Sequence, residues 1–131
     1  MLVDTDILID CLRGKIEAEK LLNAMAPFEI SVVTFMELLQ GVRDKAEMRV
    51  LRASMNHWQA RIVYADEPIC VRALMLMESL QLSHAIGLQD ALIAATALAR
   101  GGELLTGNEK HYRAVEGLEI IRYGRRRGRS A

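Results

Sequence analysis

Met1-Leu2-Val3-Asp4-Thr5-Asp6-Ile7-Leu8-Ile9-Asp10-Cys11-Leu12 opens the chain with an apolar run that meets an acid where it ends. Met1 to Thr5 reads as a short buried strand, and Ile7 to Leu12 as a helix stopping near Gly14. Asp6 is placed to cap that helix, and Asp10 to face solvent or Arg13. An acid closing a buried strand needs a partner or a cation, because an unpaired buried charge is costly.

The same alternation continues outward. Ile16, Ala18, Leu21, Leu22 and Met25 recur at helical spacing until Pro27. Phe28 to Val32 reads as a strand, followed by a helix that Thr34 caps and Gly41 stops. A polar helix spans Lys45 to Trp58, and Arg61 to Tyr64 is a third strand. Asp66 caps and Pro68 opens a long helix to about Leu82, whose Met75 and Met77 suit a core or a dimer interface. After a loop from Ser83 to Gly87, Gln89 to Ala99 is helical and ends at Gly101-Gly102. Glu103 to Thr106 and Leu118 to Ile121 complete the strands, with a helical turn around His111 to Ala114 between them.

Strands separated by helices predict an α/β fold, a three-layer α/β/α sandwich around a parallel sheet of four to five strands. One domain over residues 1–122 and a basic tail over 123–131 are expected. In such sheets ligands bind beyond the carboxyl ends of the strands, where Asp4 and Thr106-Gly107-Asn108 stand.

Half of the 131 residues are apolar (51%) and a quarter charged (26%), the balance of a soluble globular protein. No apolar stretch is long enough to span a membrane, and the N-terminus lacks the layout of a signal peptide. Cys11 and Cys70 have no metal-ligand spacing, and their apolar neighbours suggest packed, reduced thiols in a cytoplasmic protein. The zero net charge conceals an asymmetry. Arg122, Arg125, Arg126, Arg127 and Arg129 crowd the C-terminus, leaving 12 basic against 17 acidic residues in 1–121. A basic tail on an acidic body suits nucleic-acid contact; the alternative is a solubilising, disordered tail.

Three acids are candidates for chemistry: Asp4, Glu37 and Asp90. Asp90 leads an apolar helical face of Ile93, Ala94 and Ala97, either as a charge favoured by the helix dipole or as a site residue. Glu37 has mixed helical neighbours and also suits a solvated surface. Thr5 and Thr106 offer hydroxyls to orient a carboxylate, water or phosphate, or simply end their strands. Carboxylates without histidine or thiol partners favour a hard cation, Mg²⁺ or Mn²⁺. Such an ion activates water for phosphodiester hydrolysis. No phosphate-cradling glycine loop, nucleophile elbow or zinc spacing offers a competing catalytic class.

At four segments the chain resembles PIN-domain proteins of the VapC toxin type. They are Val3 to Asp10, Ser31 to Leu38, Asp90 to Ala97, and Glu103 to Asn108, in order across nearly the whole chain to about Ile121. The resemblance implies a PIN-like fold and a Mg²⁺- or Mn²⁺-dependent endoribonuclease acting on RNA. It further implies a homodimer and a cognate VapB-like antitoxin, which often binds operator DNA, so that DNA is met only indirectly. Asp4, Glu37 and Asp90 would bind the metal, and Asn108 would support substrate. Asp6, Thr5, Thr106, His111 and the tail residues Arg125, Arg126 and Arg127 would play supporting parts.

Two departures stand out. Many relatives carry asparagine where Asp6 stands, and often a further acid in the stretch that reads Thr106-Gly107-Asn108-Glu109-Lys110-His111 here. A second metal site is therefore open, and Glu109 would serve only if its loop turned inward. Two alternatives follow. Asp4-Thr5-Asp6 also matches the paired aspartates of haloacid-dehalogenase-like phosphatases, but their later acidic segment is missing. A catalytically weak or inactive PIN fold would instead bind RNA or the antitoxin.

Overall fold

The computed structural model describes residues 1–124, so Arg125, Arg126 and Arg127 lie outside the described residues. The chain runs β1 (Leu2–Val3), α1 (Thr5–Leu12), α2 (Ile16–Met25), β2 (Glu29–Ser31), α3 (Val32–Gln40) and α4 (Lys45–His57). It continues through β3 (Arg61–Val63), α5 (Glu67–His84), α6 (Leu88–Ala99), β4 (Glu103–Thr106), α7 (Glu109–Tyr112) and β5 (Glu119–Arg122). All strand pairs are parallel, in the order β3-β2-β1-β4-β5. The expected α/β sandwich with a parallel sheet of up to five strands is the fold observed.

Side chains alternate across the strands, as a period of two requires. Leu2 and Leu104 join one apolar cluster with Ile69, Ala73, Ile93, Ala94 and Tyr112. Val3 and Leu105 join the other with Ile7, Leu8, Leu22, Leu51, Trp58 and Tyr123. One face is thus covered by α5, α6 and α7, the other by α1, α2 and α4. Tyr123, expected to begin the tail, is buried in the second cluster.

The strand order places the site. From β1 the chain moves outward to β2 and β3, then returns to lay β4 on the other side of β1. The carboxyl ends of β1 and β4 therefore flank the point where the order reverses, the usual crevice of an open α/β sheet. Asp4 follows β1 there, and its amide donates to the Leu105 carbonyl at 2.9 Å.

Several local expectations are corrected. Asp4, not Asp6, caps α1: its carboxylate accepts from the Thr5 amide (2.8 Å), so the strand ends at Val3 and Thr5 is helical. Ser31, not Thr34, caps α3, its hydroxyl accepting from the Val33 amide at 3.0 Å. That cap draws the β-branched Val32 and Val33 into the helix against their strand preference. Asp10 is buried rather than solvent-facing, because it shares the inward face of α1 with Ile7. Cys70 is exposed on α5 rather than packed, and both cysteines are free. Asp66 caps α5 as expected, accepting from the Ile69 amide at 3.0 Å.

The alanine face of α6 sets how close Asp90 comes to the sheet. Ala91, Ala94, Ala95 and Ala97 are all essentially inaccessible. Ala94 stands one turn after Asp90 on the same face, so Ala94→Leu should overpack the interface. We expect a loss of about 1–3 kcal/mol in urea unfolding.

Candidate active site

Asp4 is held by its surroundings before any ligand arrives. Its Oδ1 accepts from the Thr5 amide at 2.8 Å, and its Oδ2 accepts from the Thr106 hydroxyl at 2.7 Å. The side chain is 4 % exposed. Burial, and then the neighbouring Asp6 carboxylate, push its pKa from 3.8 up to about 6, against the lowering effect of the hydrogen bonds from Thr106, Thr5 and Tyr112. This carboxyl is the costliest charge in the site.

Tyr112 brings the second acid to the first. It is the last residue of α7, fully buried, and its hydroxyl donates to Asp90 Oδ1 at 3.2 Å while standing beside the Asp4 carboxylate. Burial and the Asp4 and Asp90 carboxylates raise the phenol far above its ordinary pKa, so it stays a proton donor. His111 Nδ1 lies 3.1 Å from the other oxygen of Asp90. Both oxygens of Asp90 are thus met by consecutive residues of one short helix, while the carboxylate remains 27 % exposed.

Glu37 is linked to Asp4 through Thr5. The Thr5 hydroxyl donates to Glu37 Oε1 at 2.6 Å, and it lies 2.9 Å from Oγ1 of buried Thr34, with which it shares a second hydrogen bond. The Thr5 amide serves Asp4 and its hydroxyl serves Glu37, so one residue fixes two acids. Asp6 Oδ2 accepts from the Gly107 amide at 2.9 Å and ties α1 to the turn after β4. The Thr106 hydroxyl also accepts from the Asn108 amide at 2.9 Å, placing Asn108 at the start of α7. Glu109 does not turn inward: it pairs with Arg122 at 3.3 Å.

Asp4, Asp90, Thr5, Thr106 and His111 thus belong to one hydrogen-bonded network, which Glu37 enters through Thr5. Sequence reasoning overlooked Tyr112 and Thr34. A buried tyrosine needs a partner for its hydroxyl, and that requirement was the available signal for the first. Thr34 was read only as a helix cap.

The donors suit a hard cation. Among the described residues, no three His, Cys, Asp or Glu side chains are grouped to hold a metal ion by themselves. Mg²⁺, however, keeps several waters and takes only one or two carboxylates. Asp4 and Asp90, meeting at one hydroxyl and open on the Asp90 side, meet that requirement with an all-oxygen set. Burial first, and the Asp6 carboxylate second, make the charge on Asp4 costly, and a cation beside it would offset that cost.

Residues 1–117 match the family profile of the PIN domain. The chain is 38% identical over 123 residues to "Ribonuclease VapC10" of Mycobacterium tuberculosis, covering 91% of this chain and 90% of that one. It is 29% identical to "Ribonuclease VapC1" of Rickettsia felis, covering 92% and 94%. Among solved structures it resembles a chain of a toxin-antitoxin complex from Klebsiella pneumoniae, with TM-score 0.76, 30% identity, and 92% and 94% of the two chains covered. DNA-bound VapBC from Salmonella typhimurium shares the fold, with TM-score 0.76, 22% identity, and 92% and 96% covered.

Proposed function

The chain belongs to the PIN-domain family, and from that premise we propose that it is a metal-dependent endoribonuclease, the cytoplasmic toxin of a toxin–antitoxin pair. The observation that carries this reading is the meeting of Asp4 and Asp90 at the switch point of the sheet.

Asp4 and Asp90 would hold a Mg²⁺ or Mn²⁺ ion. When bound, it supplies Lewis acidity that makes water nucleophilic near neutral pH and offsets charge building on the phosphodiester. The chain's own residues do the rest. Thr5 and Thr106 lock the Asp4 rotamer, so no reorganisation is needed as substrate arrives. Glu37, anchored through one oxygen by Thr5, would use the other to orient water. His111 steadies Asp90, and Asn108 would support the phosphate. Water adds to phosphorus and the ester oxygen leaves, with no covalent enzyme intermediate.

A groove of about 630 Å³ between α1, α3 and α4 is lined by Ile9, Leu12, Leu38, Val42 and Val50 and reaches Glu37. It suits an apolar segment of the antitoxin, which would thereby approach the acids. Val71, Leu74, Met75 and Leu82 form an exposed apolar stripe along α5 that fits a homodimer contact. Met77, by contrast, packs on the core. No described helix is long and apolar enough to cross a membrane. DNA would be met only through the antitoxin.

The test is incubation of purified chain with a mixed-sequence RNA, with Mn²⁺ and with chelator. Fragments in the Mn²⁺ arm alone are expected; intact RNA in both refutes the activity. A binding module is the second reading, favoured by the lack of a three-ligand acidic group among the described residues and by the pairing of Glu109 with Arg122. It predicts RNA or antitoxin binding without cleavage.

The tail gives a separate expectation. Replacing Arg125, Arg126 and Arg127 with glutamine should weaken RNA binding and flatten its logarithmic salt slope by about 2. An unchanged slope would mean that these arginines do not contact RNA.

A further inference from the structure

The two acids of the site are 86 residues apart in the chain, and nothing in α1 or α6 themselves fixes the distance between their carboxylates. Among the described residues, a hydroxyl lies next to both. Tyr112 is 1 % exposed, its ring packed in the cluster with Leu2, Ile93 and Val115, its hydroxyl donating to Asp90 Oδ1 at 3.2 Å and interacting with the neighbouring Asp4 carboxylate. A phenylalanine would fill the same volume, so core packing alone does not call for the oxygen.

We propose that Tyr112 is a positioning residue for the cation site: its hydroxyl sets the separation and rotamers of Asp4 and Asp90. The inference rests on the cation-dependent reading above. A hydroxyl that donates to Asp90 beside the Asp4 carboxylate offsets part of the repulsion between the two acids and keeps Asp90 near Asp4. Asp4 has its other contacts at Thr5 and Thr106, which fix it relative to the sheet. Asp90 has His111, which is half exposed and fixes it only relative to α7. Tyr112 is therefore the link that refers one acid to the other. Its own position is set by the backbone: the Val115 amide donates to the Tyr112 carbonyl at 2.9 Å, and the Arg113 amide to the Glu109 carbonyl at 3.0 Å. The hydroxyl is held by the turn of α7 and not by a flexible stem.

Removing a group that orients a metal ligand commonly costs about 10- to 100-fold in metal affinity. Tyr112→Phe should fall in that range for Mn²⁺, measured by the paramagnetic resonance of free ion, in protein whose circular dichroism matches wild type. A second readout reports on the hydroxyl itself. In protein carrying 3-fluorotyrosine, the ¹⁹F resonance lost in Tyr112→Phe should move when Mg²⁺ is added, while that of exposed Tyr64 stays still.

Failure of this inference is distinguishable from failure of the reading beneath it. If wild type binds Mn²⁺, loses it in Asp90→Asn, Tyr112→Phe binds as tightly, and the Tyr112 ¹⁹F resonance of the wild-type chain stays unmoved by Mg²⁺, Tyr112 only fills space and the proposal is overturned. If wild type itself binds no Mn²⁺, the cation site falls and the proposal falls with it. Should Tyr112→Phe fail to fold, the ¹⁹F response of the wild-type protein decides: movement supports the role, and stillness refutes it.

Discussion

Asp90→Asn should fold as wild type and lose at least about a hundredfold in RNA cleavage, since losing a ligand costs no less than losing a group that orients one. Asparagine keeps the shape of the side chain and an oxygen for the Tyr112 hydroxyl to donate to. Its amide can face His111 Nδ1, which accepts in the neutral ring. Asp90 is partly exposed at the head of α6, so the fold depends little on its charge. The proposed cation would depend on it, because the two carboxylates proposed to hold it would become one. Single-turnover cleavage at fixed Mn²⁺, beside a urea unfolding curve, separates the two effects. Normal cleavage by a normally folded variant would remove Asp90 from the site.

Asp4→Asn should show a second large effect, in stability, beside the loss of cleavage expected of a proposed ligand. The folded-state pKa of Asp4 lies near 6, above the ordinary 3.8, chiefly because of burial and then because of Asp6. Between those values the folded protein holds more protons than the unfolded one, so stability falls as pH rises. The contribution is full below 3.8 and gone above about 6. A shift of this size corresponds to something on the order of 3 kcal/mol. In chelator, the asparagine variant should therefore gain on wild type as pH is raised from 4.5 to 7.5, by a sizeable part of that amount. Hydrogen bonds that asparagine makes poorly are lost at both pH values and drop out of the difference. Added Mg²⁺ should raise the wild-type unfolding midpoint at pH 7.5 and leave the variant unmoved, since only a bound ligand stabilises by mass action. Equal pH dependence of the two proteins would mean that Asp4 is not the strained charge described here.

These expectations bear on how much was legible beforehand. The sheet was, because Leu104 and Leu105 point to opposite clusters and buried parallel strands read as short apolar runs between helices. Asp66 and Pro68 announced α5 through cap chemistry that depends on neighbours in sequence. Caps failed where propensity competed with them: Val32 and Val33 look like strand, yet Ser31 turns them into helix. Asp4 looked like a strand end; it stands one residue past β1, and its carboxylate starts α1. Asp4 and Asp90 could be singled out as acids in costly places. That Thr5 would serve both Asp4 and Glu37 could not, because it follows from α3 crossing beside α1. Tyr112 was hidden for the same reason. Its hydroxyl has meaning only once α7 folds back between the ends of β1 and α6, and no spacing in the chain encodes that return.

The most direct test of the account is mapping of new 5′ ends in total cellular RNA incubated with purified, antitoxin-free protein. Its arms are Mn²⁺, Mg²⁺, chelator, and Asp90→Asn with Mn²⁺. Defined new ends in the two metal arms, absent with chelator and with the variant, are predicted, and their positions identify the RNA that is cut. Folded wild-type protein that yields no new ends with either metal, or identical ends with Asp90→Asn, would contradict a metal-dependent ribonuclease centred on Asp4 and Asp90.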